Sequence, residues 1–383
     1  MPDALLCKQR FLRWCSRKLF QLLSLFCCVC PLLLSILYKF QLFAGKFKKG
    51  ALDLKSSRAT QIVVNPLPPK QGSSLFIKIP YYYFDTRTQH WLAASLSHLR
   101  QAQRATAPEA LRVVTYNVTY KPYFGWFFLD STRWEYIINV LLSSLNADVI
   151  CLNEVCDKLL ERIKSAAWVK KGYYLSEIEG DWKKKKNLII SRFAFARLYK
   201  EVYGRQGAVS GCIILGEAVP LWICCCCLGD KPSETQKRKA QLDNLYQKLE
   251  YVSTEGFSII LGCLNFYSEK EEANIQSPYI DLWPHLCKGQ NGHTYSRGIY
   301  GFLKWPGSDG TKKLRPDRIL FNYNPCLDQS KDERFPAHHP ASKCIIEPVS
   351  MFLFGNEPIS SILDLYASNH YGLAADFKVK LIQ

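Results

Sequence analysis

The sequence predicts an α/β protein in which two sheets pack face to face with helices outside, preceded by one membrane-spanning helix. Strand-length apolar runs recur from residue 111 to the C-terminus, and segments with helical spacing fall between them. Near the N-terminus, twenty residues pass with almost no polar side chain.

Taken in order, residues 1–18 form a basic tail. Leu19 to Tyr38 contains only Gln21 and two serines as clearly polar residues. A helix of ~20 apolar residues spans a bilayer core of ~30 Å, and membrane helices tolerate an internal proline such as Pro31. The stretch exceeds the ~7–15 residues of a signal-peptide core, lacks a small-x-small cleavage site, and is followed by Lys39, Lys46, Lys48 and Lys49. A single-pass membrane protein is therefore expected. Its compartment stays open, and basic flanks on both sides leave its orientation open, with a slight lean toward a cytoplasmic N-terminus.

Charge points the same way. Of the formal +17 of this 383-residue chain, +9 belongs to residues 1–60, where eleven Lys/Arg oppose Asp3 and Asp53. The rest is mildly basic, which favours a membrane surface over nucleic acid as partner. Residues 39–110 read as a juxtamembrane and linker region, with Asn65-Pro66-Leu67-Pro68-Pro69 and Gly72-Ser73-Ser74. Within it, Tyr81 to Phe84 and His90-Trp91-Leu92 read as an early strand and a short helix that pack on the main domain.

Residues 111–383 form that domain. Strands are expected at Leu111 to Asn117, Asp148 to Leu152, Asn187 to Ser191, Val209 to Leu215, Leu221 to Leu228, Ser258 to Leu261, Arg318 to Phe321 and Ala374 to Leu381. Helical spacing marks Trp134 to Leu145, and Ser233 to Tyr251 with Leu242, Leu245 and Leu249. Sixteen cysteines do not make a disulfide framework here. Cys27, Cys28 and Cys30 lie in the apolar helix, and Cys224 to Cys227 run consecutively along a strand, so neighbours face opposite ways. They read as small buried residues in a reducing compartment, and the purpose of the Cys224–Cys227 run stays open.

Five short motifs then occur in series: Tyr116-Asn117, Asn153-Glu154-Val155, Gly262-Cys263-Leu264-Asn265, Pro316-Asp317-Arg318-Ile319 and Ser368-Asn369-His370-Tyr371-Gly372. In this order they resemble the endonuclease/exonuclease/phosphatase superfamily, metal-dependent phosphodiesterases and phosphomonoesterases. The resemblance implies a four-layer α/β/β/α sandwich and magnesium or manganese as cofactor. It further implies Glu154 as metal ligand, Asn117 as a metal or phosphate contact, Asn265 as a phosphate donor, and His370 for phosphate binding or acid/base work with Asp317 orienting its ring. A glutamate directly after a buried strand needs a cation or donors in any case. Asn117 and Asn265 are equally explained as turn residues, because asparagine suits strand ends.

Three positions depart from the family pattern. Cys263 and Asn369 stand where it has aspartates, and Cys227 where it has a histidine. Each change removes charge or proton-transfer capacity, and single losses of this kind commonly cost ~10²–10⁴-fold in rate. Three functions follow as expectations. The first is a membrane-tethered phosphodiesterase-like protein with impaired or absent catalysis and weakly held or lost metal, facing phospholipid or sphingolipid headgroups, similar to the neutral sphingomyelinase branch. The second is a non-catalytic scaffold. The third is a nucleic-acid or tyrosyl-phosphodiester hydrolase, because Tyr279 to Leu286, His293-Thr294-Tyr295 and Leu314 to Ile319 look like the tyrosyl-DNA phosphodiesterase branch. Asp181-Trp182-Lys183 to Lys186 and the aromatic Tyr120 to Phe128 are expected at the rim of the site, as loop or as substrate and lipid contacts.

Overall fold

The computed structural model describes residues 76–95, 98, 108–119, 130–179, 186–203, 206–215, 219–252, 257–296, 313–322, 344–360 and 365–381. All of them lie in one unit, Pro69–Gln383. The expected membrane helix at 19–38, the lysine run up to Lys185 and the aromatic segment 120–128 lie outside the described residues. Among those described, no helix is long and apolar enough to cross a membrane.

The strands are β1 (Phe76–Lys78), β2 (Tyr82–Asp85), β3 (His90–Ala93), β4 (Ala110–Asn117), β5 (Val149–Val155), β6 (Tyr174–Leu175), β7 (Lys186–Ser191), β8 (Phe195–Tyr203), β9 (Gln206–Leu215) and β10 (Val219–Cys227). They continue with β11 (Phe257–Cys263), β12 (Tyr279–Asp281), β13 (Tyr295–Ser296), β14 (Lys313–Leu314), β15 (Asp317–Asn322), β16 (Cys344–Phe354), β17 (Pro358–Ser360), β18 (Leu365–Tyr366) and β19 (Gly372–Leu381). The helices are α1 (Asp130–Tyr136), which runs into a π-helical turn at Ile137–Leu142, α2 (Asp157–Ser165), α3 (Ala167–Gly172), α4 (Thr235–Val252) and α5 (Leu282–Leu286).

Two large mixed sheets result. One has the order β1-β8-β9-β10-β11-β15-β12 and the other β16-β19-β4-β5-β7-β6-β2-β3. Strand alternation explains how they stack. Val113, Val149, Cys151 and Ile189 of the second sheet share one core with Ile223, Cys225, Ile259, Leu261, Ile319 and Phe321 of the first. The opposite faces are covered separately. Val114, Ile150 and Leu188 pack with Ile137, Leu159, Leu160 and Val169 of the α1–α3 region. Trp222, Cys224, Cys226 and Ile260 pack under Leu242, Leu245 and Leu249 of α4. A strand buried on both faces has no polar alternation to show, which is why β5, β10 and β11 read as continuous apolar runs.

One expectation fails locally. His90 to Leu92 belongs to strand β3, paired antiparallel with β2, and not to a short helix. Three residues are too few for helical periodicity to be read, and sheet pairing supplied by β2 decides the conformation. β1 likewise joins the first sheet through β8, so segments before residue 111 extend both sheets. The cysteine run resolves by parity: Cys225 faces the inter-sheet core, while Cys224 and Cys226 face α4. Cys151, Cys156, Cys212, Cys224 to Cys227, Cys263 and Cys287 all carry free thiols.

Candidate functional site

The inter-sheet rows of β4, β5, β10 and β11 are apolar until their last residues and then turn polar. Asn117, Asn153, Cys227 and Cys263 continue the inward parity of Val113, Cys151, Cys225 and Leu261. β4 and β5 run parallel, as do β10 and β11, so each pair ends on one edge. β15 and β19 run the other way, which brings the start of β15 at Asp317 and His370 just before β19 to the same side. The candidate site is thus the polar end of the inter-sheet core.

Backbone geometry at this edge is unusual. Gly262 has φ 137°, and a Cβ there would lie 2.0 Å from the Cys226 carbonyl oxygen, so the β11 strand end requires glycine. Glu154 has φ 64° and Asn265 φ 55°. The β5–β7 register is interrupted between Leu152 and Val155, and this irregularity redirects Glu154 out of the strand's regular alternation.

Asp317 is 1% exposed and His370 7%. The His370 Nδ1–H donates to Asp317 Oδ2 at 2.7 Å, and the same oxygen accepts from Thr294 Oγ1 at 2.7 Å. Thr294 Oγ1 in turn accepts from the Asp317 backbone N–H at 3.3 Å. Tyr295 stacks obliquely on the imidazole, with ring centroids 5.0 Å apart. Asp317 Oδ1 is buried and has no hydrogen-bond partner among the described residues.

Cys263 sits beside this pair, in register with Cys227 on one neighbouring strand and Asp317 on the other. Its thiol donates to Asn265 Oδ1 at 3.2 Å. The hydrogen bond with the Cys227 thiol, burial, and the nearby charges of Asp317 and Glu154 push the Cys263 thiol well above its ordinary range. It is therefore neutral at physiological pH in the metal-free protein. Donor atoms of Cys263, Asp317 and His370 lie within 4.8 Å of one another, and this group could hold a metal ion.

The remaining expected residues have defined partners. Asn117 Oδ1 accepts from the Thr119 N–H at 3.0 Å, which uses one of that oxygen's two lone pairs. The Thr119 hydroxyl donates to Asn369 Oδ1, and Ser368 Oγ donates to the Asn117 carbonyl at 2.7 Å. Asn265 Nδ2 donates to the Leu228 carbonyl at 2.9 Å, a turn role that fits the structural alternative for this residue. Cys263, Cys227, Asn265, Asp317 and His370 thus lie together with Glu154 acting electrostatically, and Asn117 and Asn369 are joined to them through Thr119 and Ser368, whose Oγ accepts from the His370 N–H at 3.2 Å.

Sequence reasoning missed Thr294, Thr119 and Ser368 as partners, and the polar inter-sheet bridges. Asn153 Nδ2 donates to Asn187 Oδ1 and to the Cys226 carbonyl, both at 2.9 Å, and Asn187 Nδ2 donates to the Gly207 carbonyl at 2.6 Å. Inward parity at the polar end of a buried strand was the available signal for Asn153. Missed too was the buried pair Arg238–Glu271, which is bidentate at 2.7 and 3.0 Å. Arg238 also donates to the Gly229 and Lys231 carbonyls at 3.1 and 2.6 Å, and Glu271 accepts from the Tyr267 N–H at 3.0 Å. The pair fixes the loop after β10 and the segment after Asn265, which together follow the two cysteine-bearing strand ends.

Comparison with solved structures gives the same architecture. A humanised D. rerio TDP2 carrying 14 mutations is 18% identical, with a TM-score of 0.53 over 71% of this chain and 100% of that one. An endonuclease/exonuclease/phosphatase family protein from Bacteroides thetaiotaomicron is 13% identical, with a TM-score of 0.52 over 70% of this chain and 97% of that one. The human Nocturnin catalytic domain with bound sulfate anion is 16% identical, with a TM-score of 0.50 over 71% and 94%. No protein-family model matches the sequence, and no curated protein does. The chain has the endonuclease/exonuclease/phosphatase fold.

Proposed function

We propose that this chain, with its endonuclease/exonuclease/phosphatase fold, is a phosphodiester-binding protein of impaired hydrolytic power, tethered to a membrane by residues 19–38 and facing phospholipid or sphingolipid headgroups. The observation that carries the reading is the assembled His370–Asp317–Thr294 relay with a neutral thiol, Cys263, beside it. The relay orients an imidazole whose Nε2 is available to a phosphate oxygen or a leaving group. A protonated thiol next to it neither aligns nor deprotonates water as a carboxylate would.

Magnesium, which the family resemblance implies, takes oxygen ligands in a near-ideal octahedron at ~2.0–2.1 Å and is bound through carboxylates. Here the thiols of Cys227 and Cys263 occupy two expected positions, and Asn369 Oδ1 already accepts from Thr119. Glu154 and Asp317 remain as carboxylates, with Asp317 Oδ2 taken by His370 and Thr294. This set fits magnesium poorly. The membrane assignment rests on the apolar stretch and its basic flanks.

A second reading, hydrolysis of a tyrosyl or nucleic-acid phosphodiester, is favoured by one feature. The segment His293-Thr294-Tyr295, which resembles that branch in sequence, supplies Thr294 to Asp317 and Tyr295 to His370.

Full-length protein in detergent micelles should release headgroup from sphingomyelin or phosphatidylcholine near background with magnesium and then manganese. The double variant C263D/N369D should gain at least ~10-fold, since each change restores an oxygen anion. Robust native turnover that disappears in E154A overturns the impaired reading. A gain confined to a tyrosyl-linked oligonucleotide moves the assignment to the second.

A further inference from the structure

Three donors of mixed type, from Cys263, Asp317 and His370, converge at the polar end of the inter-sheet core, with Cys227 on the neighbouring strand. Cys227 and Cys263 are paired in register at the ends of adjacent parallel strands. Cys263 is paired on its other side with Asp317, whose Oδ2 holds His370 Nδ1. The second Asp317 oxygen is buried with no partner among the described residues, a costly arrangement unless something positive completes it. Donor atoms from Cys263, Asp317 and His370 already lie within 4.8 Å of one another.

We propose that Cys227, Cys263, Asp317 and His370 form a site for a thiophilic divalent cation of the zinc type, in place of a magnesium site. Two sulfurs, one nitrogen and one oxygen are a donor set that suits zinc and excludes magnesium. Zinc bonds of about 2.0–2.3 Å set tetrahedral donors roughly 3.3–3.8 Å apart, so donors now within 4.8 Å of one another need to shift by about 1.5 Å or less, with Asp317 and His370 opening slightly from 2.7 Å. Asp317 Oδ2 and His370 Nδ1 lie 2.7 Å apart, so an ion held by both side chains takes the place of the Nδ1 hydrogen and leaves the ring as its Nε2–H tautomer. Cys227 is partly exposed and gives the ion a route in. Binding converts both thiols to thiolates, and the two protons leave to solvent. The same substitutions that remove hard oxygen donors from the pocket therefore supply soft ones.

This inference rests on the pocket assembly of the preceding reading but not on hydrolysis, and its test reads metal binding directly. Full-length protein in detergent, stripped by chelator, is titrated with Co²⁺. One Co²⁺ per chain should bind with a sulfur-to-cobalt charge-transfer band and tetrahedral d–d absorption. Zn²⁺ should erase both at one equivalent, and about a hundredfold excess of Mg²⁺ should not. C263S and C227S should each lower Co²⁺ affinity at least ~10-fold and weaken the charge-transfer band, and D317N should lower affinity ~10–100-fold. C27S/C28S/C30S, in the apolar N-terminal segment, should leave the spectrum unchanged. If C263S loses the wild-type circular dichroism, C227S at its partly exposed position carries the test. Absence of the band, its persistence in both C227S and C263S, or displacement by Mg²⁺ overturns the proposal. Zinc binding by a hydrolytically silent protein upholds it, and an active protein that ignores cobalt overturns it while leaving the phosphodiester reading in place.

Discussion

Replacing Arg238 with methionine should destabilise the protein strongly while a compensating double substitution recovers part of the loss. Arg238 is fully buried and its carboxylate partner Glu271 is 2% exposed. The single change removes both bonds to Glu271, two to the Gly229 and Lys231 carbonyls, and one to Thr235 Oγ1 at 3.1 Å. It leaves a carboxylate buried without its cation, held only by the Tyr267 N–H. Breaking a buried pair on one side costs about 3–5 kcal/mol, a large share of a typical ~5–15 kcal/mol of folding stability. In R238M/E271L the orphaned charge is gone, and replacement of a buried pair by apolar residues is often near neutral. Backbone groups at Gly229, Lys231 and Tyr267 still lose partners, each worth ~0.5–1.5 kcal/mol net. The double variant should therefore sit about 1.5–4.5 kcal/mol below the native protein, and above the single variant, which loses the Gly229 and Lys231 bonds and strands a charge as well. Urea denaturation of detergent-solubilised protein, followed by fluorescence of the buried Trp222 and Trp283, measures the shift in midpoint. A single variant within ~1 kcal/mol of native, or a double no better than the single, would refute this account of the pair.

Two further outcomes are expected. Burial pushes the Cys212 thiol from 9.0 to about 12. The folded protein then keeps a proton that the unfolded chain gives up, so this contribution is full below pH 9 and is lost as pH rises toward 12. Thermal melting across that window should show a shallower alkaline decline in C212A than in the native protein, and parallel profiles would remove Cys212 as the cause. At the N-terminus, full-length protein should resist carbonate extraction while a chain lacking residues 1–50 should enter the soluble fraction, and release of the full-length chain at high pH would exclude a spanning segment.

How much of this was legible beforehand differs by residue. The β5, β10 and β11 strands were visible because residues buried on both faces make nearly unbroken apolar runs, and β4, β15 and β19 because apolar residues still dominate around Arg112, Arg318, Asp376 and Lys378. β8 was not, because Arg197, Lys200 and Glu201 interrupt its apolar pattern, and it is held by pairing to β9. His90 to Leu92 is too short to carry a period, and its partner strand fixed it. Asp317 and His370 were legible as a motif pair, and the structure joins them at 2.7 Å. Thr294 was legible only as part of His293-Thr294-Tyr295, and nothing local marks it as the partner of Asp317.

What the sequence by itself determined is the layered fold, the apolar segment at 19–38, and the substitution of thiols and an amide for charged groups at three positions, because periodicity and residue chemistry are written in the chain. Only the tertiary structure decided what those substitutions face. Register placed Cys263 between Cys227 and Asp317, the positive φ of Glu154 and Asn265 turned the strand ends, and Asp317 was left with one oxygen satisfied and one without a partner among the described residues. These depend on contacts between residues up to some two hundred and fifty positions apart, as in the Ser368 bond to Asn117. Such pairings are set by how strands cross and stack, and no local run of residues encodes them.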